Sequence, residues 1–214
     1  MSRKETKLLD RLRQGWDDTE KLFSREGKPL QERTAVHGLL RVLGIKHTDA
    51  DIIKQGPEPI DVWFGEARFQ VTEIMDPARP RDLEIRRSAE RARAARCIED
   101  LVEPVMLTSE PMSPQAVLEL VVARAMEKAD HYGKQCGGID LLVYLNPRGR
   151  HLYPRGPFPS APDLEALNWR SVSLIMEHFA IVLSANNTAP EFLRDRVGQG
   201  TEWPGFDSVF DWHA

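Results

Sequence analysis

An α/β fold, a mixed central sheet flanked by helices, follows from three stretches of the sequence. From Leu30 to Leu43 the residues Leu30, Ala35, Val36, Leu39, Leu40 and Leu43 recur at helical spacing. From Pro59 to Ile74 two short apolar runs flank a tight turn, which reads as a hairpin. Ile139 to Leu145 is short, apolar and glycine-bounded, the pattern of a strand buried on both faces. Helix, two strands, helices and strand in that order let a sheet bury the apolar stripes of its helices.

Composition narrows the class. The chain has 214 residues, 41% hydrophobic and 29% charged, which suits a folded protein with one principal core and some elaboration. A formal net charge of −4 gives no overall basic field, so a nucleic-acid partner must meet a local patch. Cys97 and Cys136 stand far apart without CxxC spacing, so neither a disulfide framework nor a structural zinc site is expected. The charged start, Met1 to Lys7, has no apolar segment behind it, and no signal peptide is expected. The longest apolar run, Ser173 to Ala185, is interrupted by Glu177 and His178 and is too short to span a bilayer. The expectation is a cytoplasmic protein with no membrane partner.

Taken in order, residues 4 to 25 alternate charge with Leu8, Leu9, Leu12, Trp16, Leu22 and Phe23, an amphipathic helix or helix pair. Gly27-Lys28-Pro29 breaks it, so residues 1–28 form an N-terminal helical appendage. The helix from Leu30 closes at Gly44, and the hairpin follows two connecting segments. Asp76-Pro77 and Arg79-Pro80 lead into a helix over about Asp82 to Glu103. Ser113-Pro114, a cap followed by proline, opens another that ends near Gly133. After the 139–145 strand, His151 to Tyr153 reads as a return strand, which closes an α/β core over residues 29–153. Prolines at 154, 157, 159 and 162 mark a loop. In the C-terminal extension, 154–214, Trp169 to Ser173 is expected as a strand and Leu174 to Ala185 as a helix. Trp203, Phe206, Phe210 and Trp212 are expected to dock on the body or on a partner.

The hairpin carries the chemistry. Gln70 and Thr72 share one strand face, Phe69, Val71 and Glu73 the other, and Asp61 on the neighbouring strand can be brought beside the polar pair. Oxygen donors clustered on one side of a hairpin suit a hard cation such as Mg²⁺. A helix with a glutamate, here Glu32, then a hairpin, a helix and an apolar strand resembles the core of the PD-(D/E)XK, restriction-endonuclease-like superfamily. The chain is also similar to a bacterial family of unknown function described as endonucleases. The likeness covers roughly residues 30 to 145.

The resemblance implies phosphodiester hydrolysis with Mg²⁺ or Mn²⁺ held by two carboxylates beside a lysine. Asp61 fills the first position. Gln70 and Thr72 stand at the (D/E)-x-K position, where Gln70 offers an amide oxygen without charge and Thr72 cannot act as the lysine. Relatives move the lysine to the following helix, where Lys128 and Lys134 are the candidates. Glu73 could substitute only across a bulge. A second alignment takes Glu66-Ala67-Arg68 as the acidic-x-basic triplet, at the place where the hairpin turns. The implied partner is nucleic acid, DNA ahead of RNA, bound by Arg79, Arg81, Arg86, Arg87 and Arg91 after the hairpin. A homodimer is a further expected assembly.

Plainer roles stay open for the same residues. Asp61 at a strand start can hydrogen-bond a loop backbone. Gln70 and Thr72 can form the solvent face of an alternating strand. Glu32, read in the first turn of its helix, is favoured there by the helix dipole. The arginines can be a solvated face paired with Asp82, Glu84 and Glu90. The alternatives to an endonuclease are a nucleic-acid-binding module without catalysis and a regulatory protein-interaction protein that uses the aromatic tail.

Overall fold

A computed structural model of the chain describes residues 3–54, 58–75, 81–101, 110–146, 150–152 and 157–203. They belong to two compact units, Met1–Gln31 with Pro77–Thr108 and Glu32–Asp76 with Ser109–Ala214.

The first unit pairs helix α1 (Arg3–Leu22) with α3 (Arg81–Ala94). Ala89, Ala92 and Ala95 are buried, and their small side chains let the helices approach. Arginines cross-link the pair. Arg13 donates from Nε to the Ala92 carbonyl at 3.3 Å and from Nη2 to the Ala95 carbonyl at 2.5 Å. Arg93 bridges Asp17, at 2.8 Å, and Glu20. Residue 13 thus lies near 92–95, and residues 17 and 20 near 93. The helix expected to reach Glu103 stops at Ala94. The Asp100 carboxylate accepts from the Arg96 and Cys97 amides, at 2.7 and 3.2 Å, which offers the backbone an alternative to another helical turn.

The second unit is built on a seven-stranded sheet of order β1-β2-β3-β5-β7-β8-β9. Its strands are β1 (Ile52–Lys54), β2 (Val62–Phe64), β3 (Ala67–Ile74), β5 (Asp140–Leu145), β7 (Ser171–Met176), β8 (Phe179–Ala185) and β9 (Gly200–Glu202). The central β3, β5 and β7 run parallel, and every other neighbouring pair is antiparallel. Helices α4 (Pro114–Tyr132) and α5 (Pro162–Ala166) cover one face. The other is covered by α2 (Lys28–Val42), whose residues from Glu32 onward lie in this unit, and by α6 (Glu191–Arg194). Leu39, Leu40, Leu141 and Leu142 are fully buried, and burial of each contributes about 1.5–3 kcal/mol.

The hairpin forms as its pattern predicts. Phe64 pairs with Ala67 across a two-residue turn, and Gly65 takes φ +54°, a conformation that favours glycine. On β3, Phe69 and Val71 face the α2 side, and Ile74 faces the α4 side. Gln70 and Thr72, by alternation, share the Ile74 face. Helix α4 also starts as expected, with Ser113 Oγ accepting from the Ala116 amide at 3.2 Å and Pro114 next to it. It ends at Gly133, φ +54°.

Three expectations need correction. Leu174 to Ala185 is not a helix. It is the end of β7 and all of β8, with Glu177-His178 as the turn between them. Every residue of β7 and most of β8 is buried, so neither helical period nor strand alternation shows. The strand at Arg150–Leu152, β6, does not return along β5. It pairs in parallel with β4 (Glu110–Met112) in a separate two-stranded sheet. Glu32 is not in the first turn of its helix, because α2 starts at Lys28. The three-residue β1 carries too short a pattern to be read.

Of the tail aromatics, Trp203 packs on the α2-side core, with the Arg41 guanidinium 3.5 Å from its ring centre. Phe206, Phe210 and Trp212 lie outside the described residues. Cys97 and Cys136 are free thiols, and no described helix is long and apolar enough to cross a membrane.

Candidate functional site

Asp61 immediately precedes β2, and its amide donates to the Phe69 carbonyl at 2.9 Å, which extends the hairpin pairing by one residue. That fixes the carboxylate over β3. Its Oδ2 accepts from the Val71 amide at 2.8 Å and from Gln70 Nε2 at 3.4 Å. Gln70 Nε2 also donates to the Val71 carbonyl at 3.2 Å. Both acceptors need the amide nitrogen, so the amide oxygen points away, buried and without a hydrogen-bond partner. An unsatisfied buried acceptor costs about 1–3 kcal/mol, and sites that tolerate one often have a use for it.

Gln70 is 5% and Thr72 6% exposed, so neither belongs to a solvated strand face. The wall opposite them is α4. Its last residue, Tyr132, is buried and meets Trp169 edge to face at 6.3 Å between ring centres. Trp169 is held by its own Nε1–H to the Ala125 carbonyl at 3.3 Å. Burial pushes the Tyr132 hydroxyl pKa up to about 12, with Glu58 and then Asp61 adding to the rise because each carboxylate opposes a phenolate. The phenol therefore lies within the field of Asp61. One helical turn earlier, Lys128 places its ammonium 5.8 Å from the Tyr132 ring centre. Asp61, Gln70, Tyr132 and Lys128 thus belong to one side of the sheet.

A raised folded-state value means that the neutral phenol is favoured by the fold. Stability from Tyr132 is complete below pH 10 and is lost as pH climbs towards 12. One of the chain's three tyrosines is expected to ionise late in an ultraviolet titration of the folded protein, and Tyr132→Phe should remove that late step. Three tyrosines ionising together near pH 10, with the fold intact, would contradict the burial.

The match to known families covers nearly the whole chain. The model of a family described as "Putative endonuclease, protein of unknown function (DUF1780)" matches residues 4–206. The chain belongs to this family. A solved structure of a Pseudomonas aeruginosa strain PAO1 protein of unknown function, described as of the monooxygenase superfamily, is also similar. The likeness covers 92% of this chain and 95% of that one, with a TM-score of 0.65 and 23% identity, which shows the fold alone. No curated protein matches the chain.

In this DUF1780 member the remaining sequence candidates fall as follows. Glu32 is buried on α2, the helix over the opposite sheet face. Lys134 is exposed on the 3-10 turn after α4. Glu66 sits in the hairpin turn, so Glu66-Ala67-Arg68 does not form a strand triplet, and Arg68 instead lies 5.2 Å from the Trp63 ring centre. Glu73 faces the α2 side and accepts from Asn146 Nδ2 at 3.3 Å; β3 has no bulge to redirect it. Arg79 and the side chain of Arg81 lie outside the described residues. Arg86 and Arg87 are exposed, and Arg91 lies half-buried with Nη2 3.5 Å from Ser88 Oγ; all three belong to the helical unit.

Sequence reasoning missed two things. Tyr132 was not among the candidate residues, and its i+4 spacing from Lys128 was the available signal. The second is a buried polar knot. Asp140, fully buried at the start of β5, accepts from Arg170 Nε at 3.0 Å, Ser171 Oγ at 2.7 Å and the Arg68 amide at 2.8 Å, and again from Arg170 Nη2. Arg170 Nη2 also donates to the Glu66 carbonyl at 2.9 Å. The knot sits at the amino ends of the parallel strands, away from the carboxyl ends where α/β sheets usually bind ligands, and its hydrogen bonds are internal.

Among the described residues no group of three or more His, Cys, Asp or Glu could hold a metal ion. Among the described residues a cation near Asp61 would therefore have fewer than three such side chains and would need neutral oxygens as well. The orphaned Gln70 oxygen fits that role: turning the amide over would set it near the Asp61 carboxylate and the Val71 carbonyl, an all-oxygen group.

Proposed function

We propose that this protein is a divalent-metal-dependent phosphodiesterase acting on nucleic acid in the cytoplasm, on a PD-(D/E)XK-like core with a charge-poor active site. The observation that carries the reading is that Lys128 and Tyr132 of α4 stand on the same sheet side as Asp61 and Gln70. The order α2, β1-β2-β3, α4, β5, with α3 and β4 inserted between β3 and α4, supports the same core. The family description supports an endonuclease.

Asp61 and the Gln70 amide oxygen would hold Mg²⁺ or Mn²⁺, which when bound neutralises phosphate charge and acidifies water. Lys128 supplies the cation that the strand lacks at Thr72, and it attracts a phosphate oxygen. Tyr132, neutral across the physiological range, donates a hydrogen bond where a carboxylate would repel the substrate. Thr72 fills buried space beside Gln70. Glu32 supports α2 and acts at most through other groups. DNA is the preferred substrate, and no second copy of the chain is needed for these roles.

The test is hydrolysis of plasmid, single-stranded DNA and RNA with Mg²⁺ or Mn²⁺. Asp61→Ala is expected to abolish cleavage, and Lys128→Ala to slow it by about 10²–10³-fold, the size seen when one charge-stabilising group is removed. Cleavage that survives Asp61→Ala would sink the proposal. A second reading is a binding module without catalysis, favoured by the neutral Gln70 and Thr72. It predicts salt-dependent DNA binding and no cleavage under any metal.

A further inference from the structure

Helix α2 and the segment that follows it bring two histidines together. His37 lies on α2 and His47 in the loop that leaves it, and both are half-buried. The chain doubles back because α2 closes on Gly44 at φ +70°. The Gly44 amide donates to the Arg41 carbonyl at 3.1 Å and the Ile45 amide to the Leu40 carbonyl at 2.8 Å, the paired bonds of a glycine-capped helix end. His47 Nε2 thereby comes to stand 2.9 Å from His37 Nδ1, with the rings edge to face and 4.7 Å between centres.

The neighbours decide which nitrogens carry protons. The Ile45 carbonyl, 2.7 Å from His47 Nδ1, can only accept, so Nδ1 holds the hydrogen. In the neutral ring Nε2 is then an open lone pair facing His37. A metal-binding histidine has this arrangement: its second nitrogen donates to a carbonyl, which sets the tautomer and the ring's orientation. Phe64 supports the His47 ring edge to face at 6.1 Å, and Phe192 supports Phe64 at 5.7 Å. Carboxylates lie beside the pair. Asp49 Oδ1 is 4.0 Å from His37 Nδ1. Asp51 is held below the usual carboxylate range chiefly by the Thr48 amide, and His47 adds to that lowering. Arg33 donates from Nη2 to the Asp49 carbonyl at 2.9 Å, which ties that turn to α2, and the two carboxylates oppose its positive charge.

We infer that His37 and His47 bind a divalent transition-metal ion of the Zn²⁺ class between Nδ1 and Nε2, with water in the remaining positions and Asp49 accepting hydrogen bonds from that water. Imidazole selects such ions over Mg²⁺, which prefers oxygen. Two nitrogens on a tetrahedral Zn²⁺, at bonds of about 2.0–2.1 Å, lie about 3.3–3.4 Å apart, so the 2.9 Å pair needs to open by about 0.4–0.5 Å. His37, with 42% of its side chain exposed, has the room. On binding, the His37 Nδ1 proton leaves to solvent and Nε2 takes one up, so a neutral ring stays neutral. Among the described residues no third His, Cys, Asp or Glu completes a ligand group, so the ion exchanges with solvent. Once bound, it staples the loop before β1 to α2. Phe64 and α2 belong to the sheet face opposite Gln70, so the inference is independent of the chemistry proposed for Asp61 and Gln70.

Calorimetric titration of the untagged full chain with Zn²⁺ tests the site, alongside nitrogen NMR of the histidine rings. His37→Ala and His47→Ala should each weaken binding at least about tenfold, the lower bound for losing even an outer partner of a metal ligand. Asp49→Asn should weaken it less, and Asp61→Ala should leave it unchanged. Zn²⁺ should raise the Tm of the wild type and of Asp61→Ala, and of neither histidine variant. In the spectra it should move the ring nitrogens of His37 and His47 and spare the other four of the six histidines. Zn²⁺ binding that is absent at submillimolar concentration, or that survives both histidine substitutions, would overturn the site. So would His37 and His47 ring nitrogens that stay unmoved in the wild type, a readout that holds even if a variant misfolds.

Discussion

Arg170→Ala is expected to cost the protein about 3–5 kcal/mol of stability, enough to unfold much of it at moderate urea concentration. The side chain of Asp140 is fully buried and that of Arg170 is 8% exposed. Removing the guanidinium leaves the Asp140 carboxylate in the sheet with only the Ser171 hydroxyl and the Arg68 amide as donors. It also removes the guanidinium donor to the Glu66 carbonyl at the hairpin turn. Asp140→Ala should be comparably severe, because it leaves a buried cation. The double variant Asp140→Ala/Arg170→Ala should be less unstable than the two single losses added together, since neither charge is then left alone. Urea unfolding of the three variants measures the cycle. A single-variant loss below about 1 kcal/mol would mean that water or another group already solvates the pair.

Gln70→Glu is expected to split stability by metal. In chelator the new carboxylate faces Asp61 across the 3.4 Å now spanned by a hydrogen bond, in a position 5% exposed. Two like charges that close cannot both ionise cheaply, so the loss at pH 7 should be about 2 kcal/mol or more. The new group's pKa is raised by the same repulsion. Stability is therefore restored as pH falls and lost as it rises. Excess Mg²⁺ should reverse the loss: at a hundredfold excess over its Kd, a ligand specific to the folded state returns about 2.7 kcal/mol. Thermal melts of both proteins in chelator and in Mg²⁺ decide the matter. A variant whose Tm ignores Mg²⁺ would remove the metal from the Asp61–Gln70 pair.

The legible parts of this fold were the ones with local signals. Gly65 between two apolar runs marked the hairpin, Ser113-Pro114 and Gly133 marked both ends of α4, and glycines set off β5. What failed was the centre. β7 and β8 are buried on both faces, so the period that separates helix from strand vanishes, and Glu177-His178, read as an interruption of one apolar run, is the turn between two strands. The partner of β6 was hidden because a parallel pair leaves no local mark. At the proposed site, strand alternation puts Gln70 and Thr72 on one face with Asp61 beside them, while Lys128 is a candidate only through the resemblance, which moves the lysine to the following helix. Tyr132 was hidden because an aromatic on an apolar helix face looks like core until the fold sets it near a carboxylate.

The polar knot at Asp140 also bears on the order in which the site is assembled. Asp61 and Gln70 are nine residues apart and meet through a hairpin that can close within microseconds. β3 joins β5 only when residues such as Arg68 and Asp140, 72 positions apart, come together. Closing so long a loop is slow, because its entropy is lost before the contacts form. The carboxylate–amide half of the site is thus local and early. The tyrosine–lysine half lies on α4, which follows the hairpin in the chain, so a nascent chain carries Asp61 and Gln70 before it carries Lys128 and Tyr132.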